Sequence, residues 1–221
     1  MRRMEAQVAA LCASILTLCA YADVEREFSV GDFDNVAVSQ GISLNLVMGS
    51  ASSVTAVADD DNDLDSLEIE VEDGVLEIRR GSWVSGLFSM GKSRGSVTVY
   101  VVARELQAVA SSLGANADLI DITCTDLLVD ASSGSRIEVS GRCDTVSIDA
   151  SSGAAVDSAD LLATDALVRS SSGASIKVFA GDRFEGDASS GSSIRVYGNP
   201  EVAESETSSG ASIDLRRKQT I

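Results

Sequence analysis

Asp149-Ala150-Ser151-Ser152-Gly153-Ala154-Ala155-Val156-Asp157 is one copy of a unit that recurs through the C-terminal half of this 221-residue chain. Ser-Ser-Gly stands at 132–134, 151–153, 171–173, 189–191 and 208–210, preceded by a degenerate Ser111-Ser112-Leu113-Gly114. The glycines at 114, 134, 153, 173, 191 and 210 are spaced by 20, 19, 20, 18 and 19 residues. A period near 19 suits a β-solenoid coil made of two or three short strands joined by tight turns, and the repeat covers roughly residues 105–215.

The register around the glycine supports that reading. The third residue after each Gly is Ala117, Ile137, Val156, Ile176, Ile194 or Ile213, and the fifth is Leu119, Val139, Ser158, Val178, Val196 or Leu215. Between them stand Asp118, Glu138, Asp157, Lys177, Arg195 and Asp214. This is a period of two, apolar inward and charged outward. A weaker apolar position lies seven residues before Gly (Gln107, Leu127, Val146, Ala166, Phe184, Ala203), with Val109, Val129, Ile148 and Val168 two residues later. Each coil is therefore expected to hold one strand before the turn and one after it. At the turn, Gly134, Gly153, Gly173, Gly191 and Gly210 supply the positive φ that a coil corner requires. The serines are expected to stack as a hydroxyl ladder from coil to coil. Nothing beside them serves as a base, so they read as turn chemistry rather than as nucleophiles.

Residues 23–104 show no such repeat. Phe28–Val38 reads as a strand, a turn at Gly31-Asp32 and a second strand. Ile42–Val47 alternates cleanly, Val54–Val57 is a short strand, and Val97–Val101 leads into the repeat. Leu67–Glu72, the turn Asp73-Gly74 and Val75–Ile78 make the clearest hairpin. These strands are expected to form irregular coils or a cap over an otherwise open solenoid end. The chain thus divides into 1–22, 23–104 and 105–221, the last two forming one continuous all-β domain.

Residues 1–22 read as a secretory signal. Arg2 and Arg3 precede an apolar run from Val8 to Ala20, and Ala20-Tyr21-Ala22 places small residues where a signal peptidase cuts. The run is too short to span a bilayer comfortably, and Leu18 stands where a lipoprotein signal before Cys19 takes a small residue. No later stretch is apolar and long enough to cross a membrane as a helix. Cleavage removes Arg2, Arg3 and Glu5 and moves the net charge from −17 to −18. Such a surface repels nucleic acid and anionic lipid. The absence of His removes Ser-His and Cys-His nucleophile pairs and imidazole metal sites. With aromatic residues at 4%, the core must be aliphatic, and no cofactor is called for.

Four constellations carry chemistry worth following. Asp59-Asp60-Asp61-Asn62-Asp63 with Asp65 clusters oxygen ligands, yet it lacks the Gly and the closing Glu of an EF-hand loop. It reads as a solvated acidic turn, with calcium as the other reading. Trp83, Leu87 and Phe88 lie in a Gly/Ser-rich connection between Arg79-Arg80 and Lys92-Arg94, either as a contact loop or as a lid on the core. Asp130, Asp149 and Asp187 share one register four residues before Gly, with Arg169 among them. That column reads as a solvated row in which Arg169 relieves repulsion. The other reading makes it the active strip of a small carbohydrate-active β-helix enzyme. Cys124 and Cys143 each precede their coil's Gly by ten residues, so they fall in one register of adjacent coils. Strands about 4.8 Å apart meet the Cα separation that a disulfide accepts, and export favours the bond.

Phe33-Asp34-Asn35-Val36-Ala37-Val38 followed by Gly41-Ile42-Ser43-Leu44, then Leu76-Glu77-Ile78, Val97-Thr98-Val99-Tyr100-Val101, Leu106 and the Ser-Ser-Gly units form a further pattern. Over about residues 27–215 the chain resembles the auto-transporter adhesin head GIN domain family. The resemblance implies a right-handed β-helix-like fold and a secreted or envelope-associated bacterial protein. It carries over no catalytic residue. The expectation is an exported, non-catalytic binding, adhesion or scaffolding module whose partner is a protein or glycan of the cell envelope, with self-association left open.

Overall fold

The computed structural model describes residues 23–81 and 95–216. Its strands are β1 (Val24–Phe28), β2 (Asn35–Val38), β3 (Ser43–Met48), β4 (Ser53–Ala58), β5 (Leu67–Glu72), β6 (Val75–Arg80), β7 (Val97–Ala103) and β8 (Ala108–Ser111). They continue with β9 (Asn116–Ala131), β10 (Arg136–Ala150), β11 (Ala155–Ser170), β12 (Ser175–Ala180), β13 (Arg183–Ala188), β14 (Ser193–Gly198), β15 (Val202–Thr207) and β16 (Ser212–Arg216). Among the described residues one short helix, α1 (Asp61–Asp65), interrupts them.

The repeat folds as a parallel β-solenoid. After the corner, β3, β9, β10, β11, β12, β14 and β16 stack side by side. Before it, β2, β8 and the second halves of β9, β10 and β11 stack, followed by β13 and β15. Glycine registers coincide along the stack, so Ile137 pairs with Ala117 and Val156, and Ile176 with Val156 and Ile194. The inward columns are buried throughout the middle of the stack. Where a polar residue interrupts the column of Val139 and Val178, Ser158 is fully buried and its Oγ donates to the Lys177 carbonyl at 3.0 Å.

Besides the strand before and the strand after the corner, three coils have a short third side, within the two or three strands expected from the period. β9, β10 and β11 bend after their first five residues and run through Ile122–Cys124, Gly141–Cys143 and Leu161–Ala163 before bending again. This middle side escapes a periodic reading because it is only about three residues long. It disappears where the glycine spacing falls to 18: β12 passes through Gly181-Asp182 directly into β13. In that shorter coil Phe184 fills the column occupied above by Ala166. A Cβ on Gly186 would collide with the Phe184 ring, so the small residue makes room for the large one.

The N-terminal strands are partly coil and partly cap. β2 and β3 form a true coil whose corner is Gln40-Gly41, at φ 62° and 72°. Above it β6 lies parallel to β2 and β7 parallel to β3. The hairpin β5–β6 and the antiparallel pairs β1–β4 and β4–β7 then close that end. β1 and β2, read from sequence as strands on either side of a turn at Gly31-Asp32, do not pair with each other: β1 pairs with β4, and β2 with β6 and β8. At the opposite end the residues of β15 are exposed throughout, and Leu215 of β16 is exposed as well.

Candidate functional site

Each Ser-Ser-Gly corner places two consecutive residues at positive φ. Ser133, Ser152, Ser172, Ser190 and Ser209 lie at 51° to 53°, and the following glycines at 72° to 77°. The residue after Gly donates its N–H back to the first Ser, as in Ala154 to the Ser151 carbonyl at 3.1 Å. This is the pattern of a type I′ turn, in which both central residues are left-handed. Turning these peptides aims them along the solenoid axis. The N–H groups of Gly114, Gly134, Gly153, Gly173 and Gly191 donate to the carbonyls of Ser133, Ser152, Ser172, Ser190 and Ser209, each at 3.1 Å. The ladder expected from hydroxyls is thus carried by the backbone. Hydroxyls flanking the corner also bond between coils, Ser135 to the Ser111 carbonyl at 2.7 Å and Ser192 to the Ser170 carbonyl at 2.8 Å, and the Ser193 and Ser175 hydroxyls meet at 3.4 Å.

The face before the corner offers a broader surface. Its outward rows place Asp130 beside Asp149, Asp149 beside Arg169, Arg169 beside Asp187, and Asp187 beside Glu206. Glu185 and Glu204 stand in the adjacent row, in the same column as Leu128, Ser147 and Leu167. Leu128 is 51% and Leu167 40% exposed, large apolar groups held in water on a rigid sheet. A shallow hollow of about 340 Å³ runs over these side chains. Partial burial, and then the charge of Asp149, raise the Asp130 carboxyl above its ordinary range. On the face after the corner the outward row is mixed in sign, and Lys177 Nζ pairs with Asp157 at 2.6 Å. Asp118 there is raised by burial and by Glu138, with Arg136 working against both.

The structure brings Cys124 and Cys143 together as a disulfide across coils, with Cα atoms 4.7 Å apart. The acidic run forms α1, capped by the Asp60 side chain, and its carboxylates turn to arginines. Arg26 reaches Asp65 at 2.8 Å, and the buried Arg80 reaches Asp63 at 3.1 Å and the Gly95 carbonyl at 2.7 Å. Part of the run read as a solvated turn is therefore packed into the cap. Sequence reasoning missed this role of Arg80, whose backbone N–H also meets the corner residue Gln40 at 2.7 Å. Trp83, Leu87 and Phe88 lie outside the described residues, as does the signal-like segment 1–22. Among the described residues no group of three or more carboxylates, cysteines or histidines is arranged to hold a metal ion, and no helix is long and apolar enough to cross a membrane.

A protein-family model described as "Putative auto-transporter adhesin, head GIN domain" matches residues 32–200. Among solved structures, the chain is similar to one described as a putative adhesin from Bacteroides fragilis, with 13% identity and a TM-score of 0.69, covering 89% of this chain and 98% of that one. It is also similar to one described as a putative lipid binding protein from Parabacteroides distasonis, with 18% identity and a TM-score of 0.51, covering 88% and 96%. No curated protein matches significantly.

Proposed function

This chain belongs to the auto-transporter adhesin head GIN domain family, and from that premise we propose that it is an exported, non-catalytic binding or adhesion module of the cell envelope. The observation that carries the proposal is the face before the corner, where Leu128 and Leu167 stand exposed among carboxylates on a parallel sheet. Exposed large apolar residues on an otherwise charged, rigid surface mark an interaction site. The description of one similar structure as an adhesin agrees with that use. Export is supported by the signal-like residues 1–22 and by the disulfide, which persists in oxidising compartments. The Ser-Ser-Gly serines serve the turn, and their carbonyls are taken up by the backbone ladder.

The test uses purified protein on a surface exposed to the envelope fraction of its source cell. Leu128→Glu combined with Leu167→Glu should lower retained material about tenfold or more while leaving the melting temperature within a few degrees. Unchanged retention would remove this face from the proposal. The enzyme reading of the same face makes a different demand. Turnover of an acidic polysaccharide, abolished by Asp130→Asn, Asp149→Asn and Asp187→Asn together, would replace a binding module with a catalyst.

A further inference from the structure

The middle side of the solenoid begins without a partner. In β9, residues 116–120 pair with β3 on the capped side, and 128–131 pair with β8. Between them, Ile122–Thr125 has, among the described residues, a strand neighbour only on the other side, in β10. The chain that would supply the missing strand goes elsewhere. β3 ends at Met48 and leads into the antiparallel β4, while residues 104–107 cross from β7 down to β8, where the Gln107 carbonyl takes the Leu128 N–H at 2.8 Å. What remains is a notch of about 670 Å³, lined by Met48, Arg104, Glu105, Thr123, Thr125 and Asp126. The inward Cys124 is half-exposed here and tied through its disulfide to the buried Cys143 of the next coil. The staple therefore sits where a strand is paired on one side only.

We propose that this notch is a binding site for a short, extended, basic peptide segment, which adds to the free edge of Ile122–Thr125 as a strand. Unpaired N–H and C=O groups in a row are a template for strand addition, with affinity from the main chain and selectivity from flanking side chains. Four residues of edge extend about 13 Å and admit three to four residues of ligand. The volume lies within the ordinary range of ligand pockets, roughly 300–1,000 Å³. Charge selects the sign of the segment. Arg104 is engaged by Asp32 and Gln107 by Asp34 at 2.8 Å, which leaves Glu105 and Asp126 to face the ligand. Among the described residues no aromatic side chain lines the notch, so a saccharide would find no ring there to stack on.

The test titrates the intact, disulfide-bonded protein with fluorescein-labelled acetyl-(Lys-Val)₃-amide at physiological ionic strength, alongside the same peptide N-methylated on alternate backbone nitrogens. The result expected is saturable binding, with amide NMR shifts centred on Ile122–Thr125 and an affinity loss of about tenfold or more on N-methylation. Equal affinity of the N-methylated peptide would mean attraction by charge alone and would overturn strand addition. So would the absence of saturation at millimolar peptide, or shifts centred on the β15–β16 edge. If maltohexaose shifted the notch amides and the peptide did not, the site would belong to a saccharide and the proposal would fail.

Discussion

At the Ser-Ser-Gly corner the chain reverses into open water, whereas at the next bend along the coil it turns hard against the coil beside it. Gly141 and Gly198 at that bend share the positive φ of the first corner, but their surroundings are opposite. A Cβ added to Gly134, Gly153, Gly173, Gly191 or Gly210 would meet nothing within 4 Å. A Cβ added to Gly141, at φ 132°, would fall on the backbone of Ile122, and one on Gly198, at φ 108°, on the Ala180 carbonyl. The first corner asks only for a backbone conformation, which serine or even Leu113 can adopt at some cost. At Gly141 and Gly198 the second asks for the absence of a side chain, although Ile122 and Leu161 fill the column of Gly141 in the coils on either side. A repeat can therefore be conspicuous in sequence where the structure is tolerant, and faint where the structure is strict.

The sharpest way to break this comparison is Gly141→Ala. A methyl group forced into the neighbouring backbone has no flexible side chain to push aside, so a loss of about 4 kcal/mol or more is expected. Urea unfolding followed by far-ultraviolet dichroism reads it, and a loss near 1 kcal/mol would show that the bend yields. Next in size is removal of the disulfide by Cys124→Ala with Cys143→Ala. Its 19-residue sequence separation suggests about 3 kcal/mol in the chain-entropy treatment. Thiol titration of the unfolded, unreduced protein lacking residues 1–22, and with them Cys12 and Cys19, should find no reactive pair.

Gly153→Ala tests the permissive corner. With free space for the methyl, only the left-handed conformation resists, and a cost of about 1–2 kcal/mol is expected in the same unfolding measurement. A loss as large as that of Gly141→Ala would erase the distinction between the corners.

The smallest effect belongs to Asp130 on the outer face. Its folded-state pKa is raised, first by burial and then by Asp149, so the native state holds its proton more tightly than the unfolded chain does. The carboxyl therefore favours folding at low pH, and that contribution is lost as pH rises from the ordinary value of 3.8 through the raised one. Asp130→Asn should accordingly raise the melting temperature slightly at pH 7 and make no difference below about pH 3.5. A gain that persisted in acid would point to packing instead of charge.

How far the sequence carries depends on what each element uses. Ile137, Val156, Ile176 and Ile194 announced one inward column, because alternation in a strand is a local property. The pairing of Cys124 with Cys143 was legible for the same reason, as equal distance from Gly means equal height in a parallel stack. The hairpin Leu67–Arg80 followed from its Asp-Gly turn. By contrast, Gln40-Gly41 was not read as a corner, because about 70 residues of cap separate it from the next corner at Gly114 and conceal the period. The Asp59–Asp65 run looked like a solvated turn because its partners, Arg26 and Arg80, are remote in sequence.

Taken by itself, the sequence determined the coil: its period, its inward and outward rows, its turn chemistry and the cysteine register. All of these depend on residues within one repeat or at a fixed offset in the next. Only the tertiary structure decided how the stack begins and where it is incomplete. It sent β3 outward to β4 and brought residues 104–107 across to β8, leaving the edge of Ile122–Thr125 without a strand partner among the described residues. The physical reason is that a missing neighbour leaves no mark on the strand that lacks it. Thr123, Cys124 and Thr125 would read the same with a strand above them, and the notch comes from where distant segments of chain go instead.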